Sequence, residues 1–396
     1  MTDSKIRLMK STFYHEQEVK EKLCKFIMEK EQLSMSHKCA EFENEFSKFQ
    51  NQEYSVLFNS GSSANLALIQ SLLNLNILRK EDKVGFSALT WATNVMPLLQ
   101  LGLNPVPVDV SLETLNVSSE TLLRTLENTD MKVLFITNLL GFSGDLDKIK
   151  AVCEQKGIVL IEDNCESFGS ELNNTKLGSF GLAGTFSTFV GHHLSTIEGG
   201  MVCTNDKELH DMLLMVRAHG WDRNLDQETQ TKLRAENNID GFYSRYAFFF
   251  PAYNLRPTEI TGFIGVEQLK YAEEINLARE NNFKEFSITA GTNSDFEKLN
   301  VGHMSLVSNF AFPLICKDLE TFNSYRNKFE ENNVEIRPIV GGSIVEQPFF
   351  RNYLSEKGLS FSCPNARKIH QFGFYFPNNP ELTLEETERI KSLLSK

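Results

Sequence analysis

The sequence has seven cysteines, but no two of them form a C-x-x-C or C-x-C pair. Disulfide frameworks, structural zinc sites and iron–sulfur clusters draw on closely spaced or evenly paired cysteines. The odd count and the wide spacing argue against all three. We therefore expect no bound metal, no iron–sulfur cluster, and scattered thiols in a reducing compartment.

Long apolar runs and basic runs are also missing. No stretch approaches the ~20 apolar residues that a membrane-spanning helix needs, and the chain starts with polar residues where a secretory signal has an apolar core. The net charge of −12 repels nucleic acid and anionic membranes. We expect a soluble, cytoplasmic protein that binds neither, although a few arginines can still hold an anionic small molecule.

The chain of 396 residues is long enough for two domains. Apolar segments alternate with helical patterns up to residue 204, and such strands are typical of a parallel sheet covered on both faces. The predicted strands are 54–58, 83–88, 105–108, 132–140, 158–162, 183–189 and 200–204, and the predicted helices include 64–78 and 145–155. We predict an α/β fold with a mainly parallel sheet and helices on both faces, in a large domain of residues 1–270 that includes an N-terminal helical segment.

A long helix is predicted over residues 257–275, with Pro257 at its first position, where a missing N–H has no consequence. The rest of the chain mixes charged helices with short strands. Residues 271–396 are therefore predicted to form a smaller C-terminal α+β domain.

Several polar residues follow predicted strands, and ligands bind at the carboxyl ends of parallel strands. Ser62 and Ser63 open a helix that can hold a phosphate, although a plain serine N-cap explains them at least as well. Asp163 can pair with a protonated ring nitrogen, or it can cap a turn. Trp91 can stack on a flat ring, or it can belong to the core.

Two adjacent histidines, His192 and His193, lie in a polar loop before a Glu-Gly-Gly turn. Neighbouring side chains rarely bind one ion together, and no third ligand stands at a suitable spacing, so a metal site is not expected. The polar context does not suit a buried core histidine. A histidine in this loop can act as a general acid or base.

Taken in order, the segments SGSSAN, ALTWATN, EDNCES, TFSTF with EGG, YNLRP and a later RP resemble the DegT/DnrJ/EryC1/StrS sugar aminotransferases. These are pyridoxal 5'-phosphate (PLP) enzymes of fold type I, the aspartate-aminotransferase fold. The resemblance implies PLP or pyridoxamine 5'-phosphate as cofactor, and a homodimer with shared active sites. The implied cofactor-binding residues are Gly61, Ser62, Ser63, Trp91, Asp163, Glu166, Ser187 and Asn254.

The resemblance also implies individual roles. The serines would bind the cofactor phosphate, Trp91 would stack on the pyridine ring, and Asp163 would pair with the ring nitrogen. Asn254 would reach the cofactor phosphate of the neighbouring subunit. Arginines can pair with phosphates bidentately, whereas a lone surface arginine usually does not. The candidates for a nucleotide diphosphate are Arg217, Arg223, Arg256 and Arg337.

The chain departs from the family at one position. Aminotransferases of this family carry a lysine six residues before the Glu of Glu-Gly-Gly, and six before Glu198 stands His192. No lysine lies between Lys176 and Lys207. Without an amine at this place the usual covalent Schiff base cannot form. Loss of function is one interpretation, but the replacing residue is itself an acid/base group.

A small subgroup, the dideoxysugar 3-dehydratases, departs in the same way. The chain is similar to its colitose-type members, which act on GDP-4-keto-6-deoxymannose, through the His-His pair, EDNCES, RAHGW-x-RN and YN-x-RP. The resemblance implies removal of the 3-hydroxyl of a nucleotide-linked 4-keto-6-deoxy sugar for lipopolysaccharide or capsule synthesis. L-glutamate would be the amino donor and His192 the base, with Asp163 keeping the ring nitrogen protonated.

Three alternatives stay open. A lysine-independent nucleotide-sugar 4-aminotransferase is opposed by the missing lysine. A non-catalytic binding protein is opposed by the retained Trp91, Asp163, Ser187 and His192. A GDP-heptose would need the same chemistry at carbons 3 and 4, so the sequence does not separate it from a hexose.

Overall fold

The computed structural model describes residues 4–396. Its helices are α1 (Glu16–Glu29), α2 (His37–Gln50), α3 (Gly61–Asn74), α4 (Met96–Gln100), α5 (Ser119–Leu126), α6 (Leu146–Lys156), α7 (Lys207–Arg217), α8 (Gln227–Glu236), α9 (Glu259–Leu269), α10 (Ala272–Gly291), α11 (Leu319–Glu331), α12 (Pro348–Lys357), α13 (Pro364–Phe372) and α14 (Leu384–Leu394). Its strands are β1 (Tyr54–Phe58), β2 (Lys83–Ser87), β3 (Asn104–Val108), β4 (Val133–Thr137), β5 (Val159–Asp163), β6 (Glu171–Leu172), β7 (Thr175–Lys176), β8 (Ala183–Ser187), β9 (Gly200–Thr204), β10 (Met304–Leu306), β11 (Ala311–Ile315), β12 (Arg337–Pro338) and β13 (Gly373–Pro377).

Seven strands form the central sheet, in the order β1-β9-β8-β5-β4-β2-β3. The strands from β8 to β3 pair in parallel, and β9 alone runs antiparallel to both of its neighbours. The predicted α/β fold with a mainly parallel sheet is confirmed. Because β9 is reversed, its first residue lies at the same edge as the last residues of β5 and β8.

Helices cover both faces of this sheet, and β4 shows how. All five of its residues are buried, and successive side chains point to opposite faces. Val133 and Phe135 pack in the cluster that contains α3 residues such as Leu68. Leu134 and Ile136 pack in the other cluster, which extends through α6 into the C-terminal part of the chain.

The predicted single helix over residues 257–275 is wrong. The structure has two helices, with a break at Tyr271, where the backbone leaves helical geometry (φ −101°, ψ 6°). Residues of the N-terminal segment hold this break, because the backbone N–H and C=O of Tyr14 each bond the side-chain amide of Gln268 at 2.9 Å. Thr258 caps α9 through its hydroxyl, so Pro257 precedes the helix rather than starting it.

The C-terminal part contains a three-stranded antiparallel sheet, β11-β13-β12, with α11 to α14 around it. The beginning of the described chain packs here as well, because Ile6 forms a bridge to Val334. The division into domains near residue 270 stays a prediction. Within residues 4–396, no helix combines the length and apolarity needed to cross a bilayer.

Candidate active site

A cleft of about 550 Å³ opens at the edge where β5 and β8 end. Eight of the residues predicted to form the site line it: Gly61, Ser62, Trp91, Asp163, Glu166, Ser187, His192 and Arg337. They stand at the ends of β5 and β8, in the segments that follow β1, β2, β5 and β8, and on β12. The alternating strands and helices thus bring together residues from distant parts of the sequence.

The start of α3 forms one wall of the cleft. Ser60 caps the helix and accepts the Ser63 N–H at 3.0 Å, and its hydroxyl lies 3.0 Å from that of Ser63. Ser63 is therefore part of the cap and does not line the cleft. The N–H groups of Gly61 and Ser62 have no partner within the helix. Gly61 also lies close to Ser187, since a Cβ added at Gly61 would be 2.6 Å from the Ser187 Cβ. Such free N–H groups with two serine hydroxyls suit an anion.

Asp163 ends β5 and is 3% exposed. Its Oδ2 accepts hydrogen bonds from the amides of Asn65 (2.9 Å) and Asn94 (2.7 Å), and its Oδ1 accepts the Cys165 N–H at 2.9 Å. Within the described part of the chain, three donors and no cation hold this carboxylate in position. It therefore presents a fixed negative charge that a protonated ring nitrogen in the cleft can meet.

The neighbouring Glu162 faces the opposite side of the sheet. Its buried carboxylate accepts the N–H groups of Gly178, Phe180 and Gly181 at 2.7 to 3.0 Å, together with the Asn138 amide at 2.9 Å. Burial raises the pKa of Glu162, against the effect of these hydrogen bonds. Its role is to hold the turn before β8, and it has no place in the cleft.

Glu166, which the resemblance implies as a cofactor-binding residue, lines the cleft. Burial raises its pKa to about 8, and the charge of Asp163 acts in the same direction. One oxygen, Oε2, accepts the Leu140 N–H at 3.0 Å. A carboxyl group with this pKa keeps its proton at neutral pH, so its other oxygen can donate a hydrogen bond to a ligand oxygen.

Trp91 follows β2 and is 54% exposed, with its side chain on the cleft. The core alternative considered from sequence is therefore wrong. An exposed indole at the mouth of a cleft that ends in Asp163 can cover the face of a flat ring.

The two adjacent histidines point to different places. His193 is buried, and its Nε2 lies 2.9 Å from the carbonyl oxygen of Ser308. His192 lies on the cleft, with its ring edge-on to Phe189 and Phe310. Its Nδ1 is buried without a partner among residues 4–396, so the accessible side of the imidazole is that of Nε2. Burial lowers the pKa of His192 to about 4, against the charge of Asp163.

The four candidate arginines lie in three different places. Arg217 is 3% exposed, ion-paired with Glu43 and bonded to the Leu57 carbonyl at 2.9 Å. Its guanidinium is locked between α2 and β1, so the structure gives it no access to the cleft. Arg337 lines the cleft beside its ion-pair partner Glu335.

Arg223, Arg256 and Asn254 lie together but away from the cleft of their own chain. The two guanidinium groups lie over the ring of Trp221, at 4.1 Å and 5.5 Å from its centre. Arg256 donates to Asn254 Oδ1 at 2.9 Å, which leaves the amide N–H groups of this exposed asparagine directed outward. The group is thus a positively charged surface patch.

Sequence reasoning missed several residues of the site. Asn65 and Asn94 hold Asp163, and Thr185 holds Asn65 in turn at 2.7 Å. Both asparagines belong to segments quoted for the resemblance. Asn65 is also a polar residue inside an apolar helix, and this was an available signal. Arg279 and Phe310 also line the cleft, and nothing in their local sequence indicates it.

Comparison with known proteins identifies the family of this chain. The sequence profile of the DegT/DnrJ/EryC1/StrS aminotransferase family matches residues 15–395. The chain belongs to this family. It is 34% identical over 376 residues to the GDP-4-keto-6-deoxy-D-mannose 3-dehydratase of Yersinia pseudotuberculosis, which is 93% of this chain and 93% of that protein.

Two solved structures are similar over the whole length. A mutant of GDP-4-keto-6-deoxymannose-3-dehydratase with bound GDP-perosamine matches with a TM-score of 0.86 and 30% identity, covering 99% of this chain and 100% of that one. The same enzyme with a trapped PLP-glutamate geminal diamine matches with a TM-score of 0.86 and 30% identity, covering 98% and 100%. The expected resemblance is confirmed.

The residues of the cleft fit a PLP cofactor held without a covalent bond. The start of α3 with Ser187 suits a phosphate, Trp91 suits a flat ring, and the buried Asp163 suits a protonated ring nitrogen. No lysine lines the cleft within residues 4–396. In the same range, no cluster of three or more histidine, cysteine or acidic side chains is placed to hold a metal ion.

The low pKa of His192 predicts a pH effect on stability. Its folded pKa of about 4 is below the ordinary 6.5, so as the pH falls through that window the unfolded chain takes up a proton that the folded chain does not. Stability is therefore lost as the pH falls from about 6.5 towards 4. We expect the melting temperature to drop less for His192→Asn than for the wild type between about pH 7 and pH 5. Equal drops in a thermal melt would contradict this.

Proposed function

We propose that this chain is a PLP-dependent nucleotide-sugar 3-dehydratase, which removes the 3-hydroxyl of a GDP-linked 4-keto-6-deoxy sugar to give a 4-keto-3,6-dideoxy sugar. L-glutamate is the amino donor. The observation that carries the proposal is the position of His192. It stands in the cleft with Asp163, where the aminotransferases of the family have a lysine, and no lysine of residues 4–396 lines the cleft in its place.

PLP, when bound, supplies an electron sink, and its pyridoxamine form supplies an amine for the ketone at carbon 4 of the sugar. Asp163 keeps the ring nitrogen protonated, because a fixed carboxylate favours the charged partner. Asn65 and Asn94 keep Asp163 in place. Gly61, Ser62 and Ser187 anchor the phosphate.

His192 is the base of the dehydration. Its Nε2 faces the cleft and takes the proton whose removal lets the 3-hydroxyl leave. Because burial lowers its pKa to about 4, the ring is neutral in the neutral pH range, so one ring nitrogen carries a free lone pair. A histidine cannot form a Schiff base with an aldehyde, so no covalent bond from this position would tie PLP to the protein.

The cofactor phosphate site gives one prediction. A Cβ added at Gly61 would lie 2.6 Å from the Ser187 Cβ, too close for any real contact. We expect Gly61→Ala to push Ser187 and α3 apart and to raise the dissociation constant for PLP by about tenfold or more, as overpacking by 1–3 kcal/mol implies. Gly291→Ala is the matched control, because its Cβ meets nothing within 4 Å. Titration of PLP by absorbance checks this, and equal affinities would contradict it.

A homodimer with shared sites is part of the proposal. The segment before Asn254 exposes Phe242, Tyr243 and Tyr246, each by two thirds or more of the side chain. A large exposed aromatic group of this kind marks an interaction surface. In the dimer, Asn254 and the two neighbouring arginines reach the partner's cleft, where the asparagine meets the cofactor phosphate. The arginines there, with Arg337 of the cleft's own chain, meet the nucleotide diphosphate.

Shared sites predict complementation between two variants. Asn254→Asp places a negative charge beside the phosphate, and His192→Asn removes the base, so each homodimer should be nearly inactive. In a mixed dimer, one site carries both substitutions and the other carries neither. We therefore expect activity to return when the two variants are refolded or expressed together. Persistent inactivity of an isolated mixed dimer would mean that each site is built from one chain.

The half-reaction with the donor tests the cofactor chemistry. Purified protein loaded with PLP should, on addition of L-glutamate, take the absorbance spectrum of pyridoxamine phosphate and release 2-oxoglutarate. Borohydride added before glutamate should leave no cofactor covalently attached, in contrast to a lysine-type aminotransferase. Covalent labelling would show an internal Schiff base and would contradict the proposal.

A further inference from the structure

A second, much smaller cavity adjoins the cleft at His192. It has a volume of about 30 Å³ and is bounded by the N-terminal segment, the histidine loop and α10. His192 and Arg279 line both the cavity and the cleft, whereas His193 lines the cavity alone. A cavity of about 10–15 Å³ already accepts a water molecule if two to four polar groups surround it.

Three polar atoms of these lining residues are buried and have no hydrogen-bond partner among residues 4–396. They are Nδ1 of His192, Nδ1 of His193 and Nε of Arg279. Other polar lining residues are already satisfied, since Ser11 bonds Glu381 and Gln268 bonds Tyr14. A buried polar atom without a partner destabilises the fold, so three such atoms on residues that line one cavity call for a common partner.

The donor and acceptor roles of two of these atoms are fixed. The Nε of Arg279 can only donate. The Nε2 of His193 faces the Ser308 carbonyl at 2.9 Å, and a carbonyl only accepts, so the proton of this neutral ring is on Nε2. The Nδ1 of His193 is therefore an acceptor. A water between them uses one lone pair for Arg279 and one O–H for His193.

We propose that the cavity holds a water that bridges Arg279 Nε, His193 Nδ1 and His192 Nδ1, and that His192 donates its Nδ1–H to this water. The remaining lone pair of the water accepts this Nδ1–H. The lone pair of His192 then lies on Nε2, which faces the cleft. His193 and Arg279 are thus positioning residues, which act on the substrate only through His192.

The arrangement also suits a full proton-transfer cycle. When Nε2 of His192 takes a proton, both ring nitrogens carry hydrogen, and Nδ1–H still donates to the same lone pair of the water. The water does not need to turn. With the opposite tautomer, the water would have to reverse its bond to His192 at each transfer. The catalytic role and the tautomer of His192 rest on the proposed function, whereas the water does not.

The test uses the protein without cofactor or substrate, so that its result is independent of the dehydratase proposal. A crystal structure should show a water within hydrogen-bonding distance of all three atoms. In ¹⁵N-histidine-labelled protein, magic-angle-spinning NMR should show His192, identified by the signal lost in His192→Asn, as the Nδ1–H tautomer. A site without water, or a wild-type His192 protonated on Nε2, would overturn the proposal.

Two variants of His193 separate positioning from plain structural support. His193→Gln keeps a donor for Ser308 but removes the acceptor for the water, and His193→Asn does the reverse. We expect the glutamine variant to lose the water and the Nδ1–H preference, with kcat lowered about tenfold or more and KM little changed. The asparagine variant should keep the water and the tautomer. If the asparagine variant alone is impaired, His193 serves only to hydrogen-bond the Ser308 carbonyl and support the fold, and the proposal fails.

Discussion

Replacing His192 with asparagine is expected to lower the rate of dehydration by about 10²- to 10⁴-fold, the usual contribution of a positioned general base. Asparagine has a similar size and polarity, but its amide does not accept a proton in the accessible pH range. The residue lies at the cleft and is not buried in the core, so the fold should tolerate the change. The measurement is the rate of loss of the 3-hydroxyl, followed by product mass.

Two controls make the result specific. His192→Asn should still bind PLP, because no other predicted cofactor contact is altered. His210→Asn changes a histidine of α7 that stacks on Tyr54, outside the cleft, and should keep wild-type kcat. If His192→Asn turned over substrate at the wild-type rate, another group would be the base.

Replacing Asp163 with asparagine is expected to reduce turnover by about 10²- to 10⁴-fold, which corresponds to the 3–5 kcal/mol lost when one partner of a buried ion pair is removed. The ring nitrogen would lose its counter-charge and, with it, much of its proton. The substitution also conflicts with its surroundings. Both carboxylate oxygens accept protein N–H groups, so an amide –NH₂ must face either Cys165 or the two asparagines donor to donor.

The conflict of the new amide with its neighbours must be separated from the loss of the counter-charge. Asp163→Asn should bind PLP more weakly, and the bound cofactor should show the absorbance of the unprotonated pyridine. Asp206→Asn is the matched control, because this aspartate caps α7 outside the cleft and asparagine caps helices equally well. A variant at position 163 with normal turnover and a normal spectrum would contradict the role of the carboxylate.

The sheet was predictable because its strands are apolar along their whole length. β1 and β9 were predicted to the residue, and the others to within a few residues of their observed ends. The break at Tyr271 was not predictable, because it depends on contacts with Tyr14, more than 250 residues away in sequence. Helical periodicity describes one segment and says nothing about such a partner.

Much of the cleft was also predictable, for two reasons. Residues after parallel strands meet at one edge, and the quoted segments occur in the order of the family. The sequence could not show which arginine lines the cleft, since Arg217 and Arg337 both follow strand-like or helical apolar segments. Only the structure shows that Glu43 holds the first of them inside the fold.

The histidine pair also shows that sequence alone does not predict which way a side chain points. His192 and His193 are identical in type and adjacent, and only the Ser308 carbonyl separates their roles. That contact joins residues 115 apart in sequence. The same holds for Arg279, whose guanidinium bonds the carbonyls of Phe310 and Asn378 and so reaches the cleft from α10.

The most direct test of the dehydratase account is a single incubation of the purified protein with PLP, L-glutamate and GDP-4-keto-6-deoxymannose, in which the mass of the sugar product and the release of ammonia are both followed. The account predicts a product that has lost the oxygen at carbon 3, with one ammonia released per turnover. A product that carries a new amino group at carbon 4, with no ammonia released, would identify a lysine-independent aminotransferase and would contradict the account.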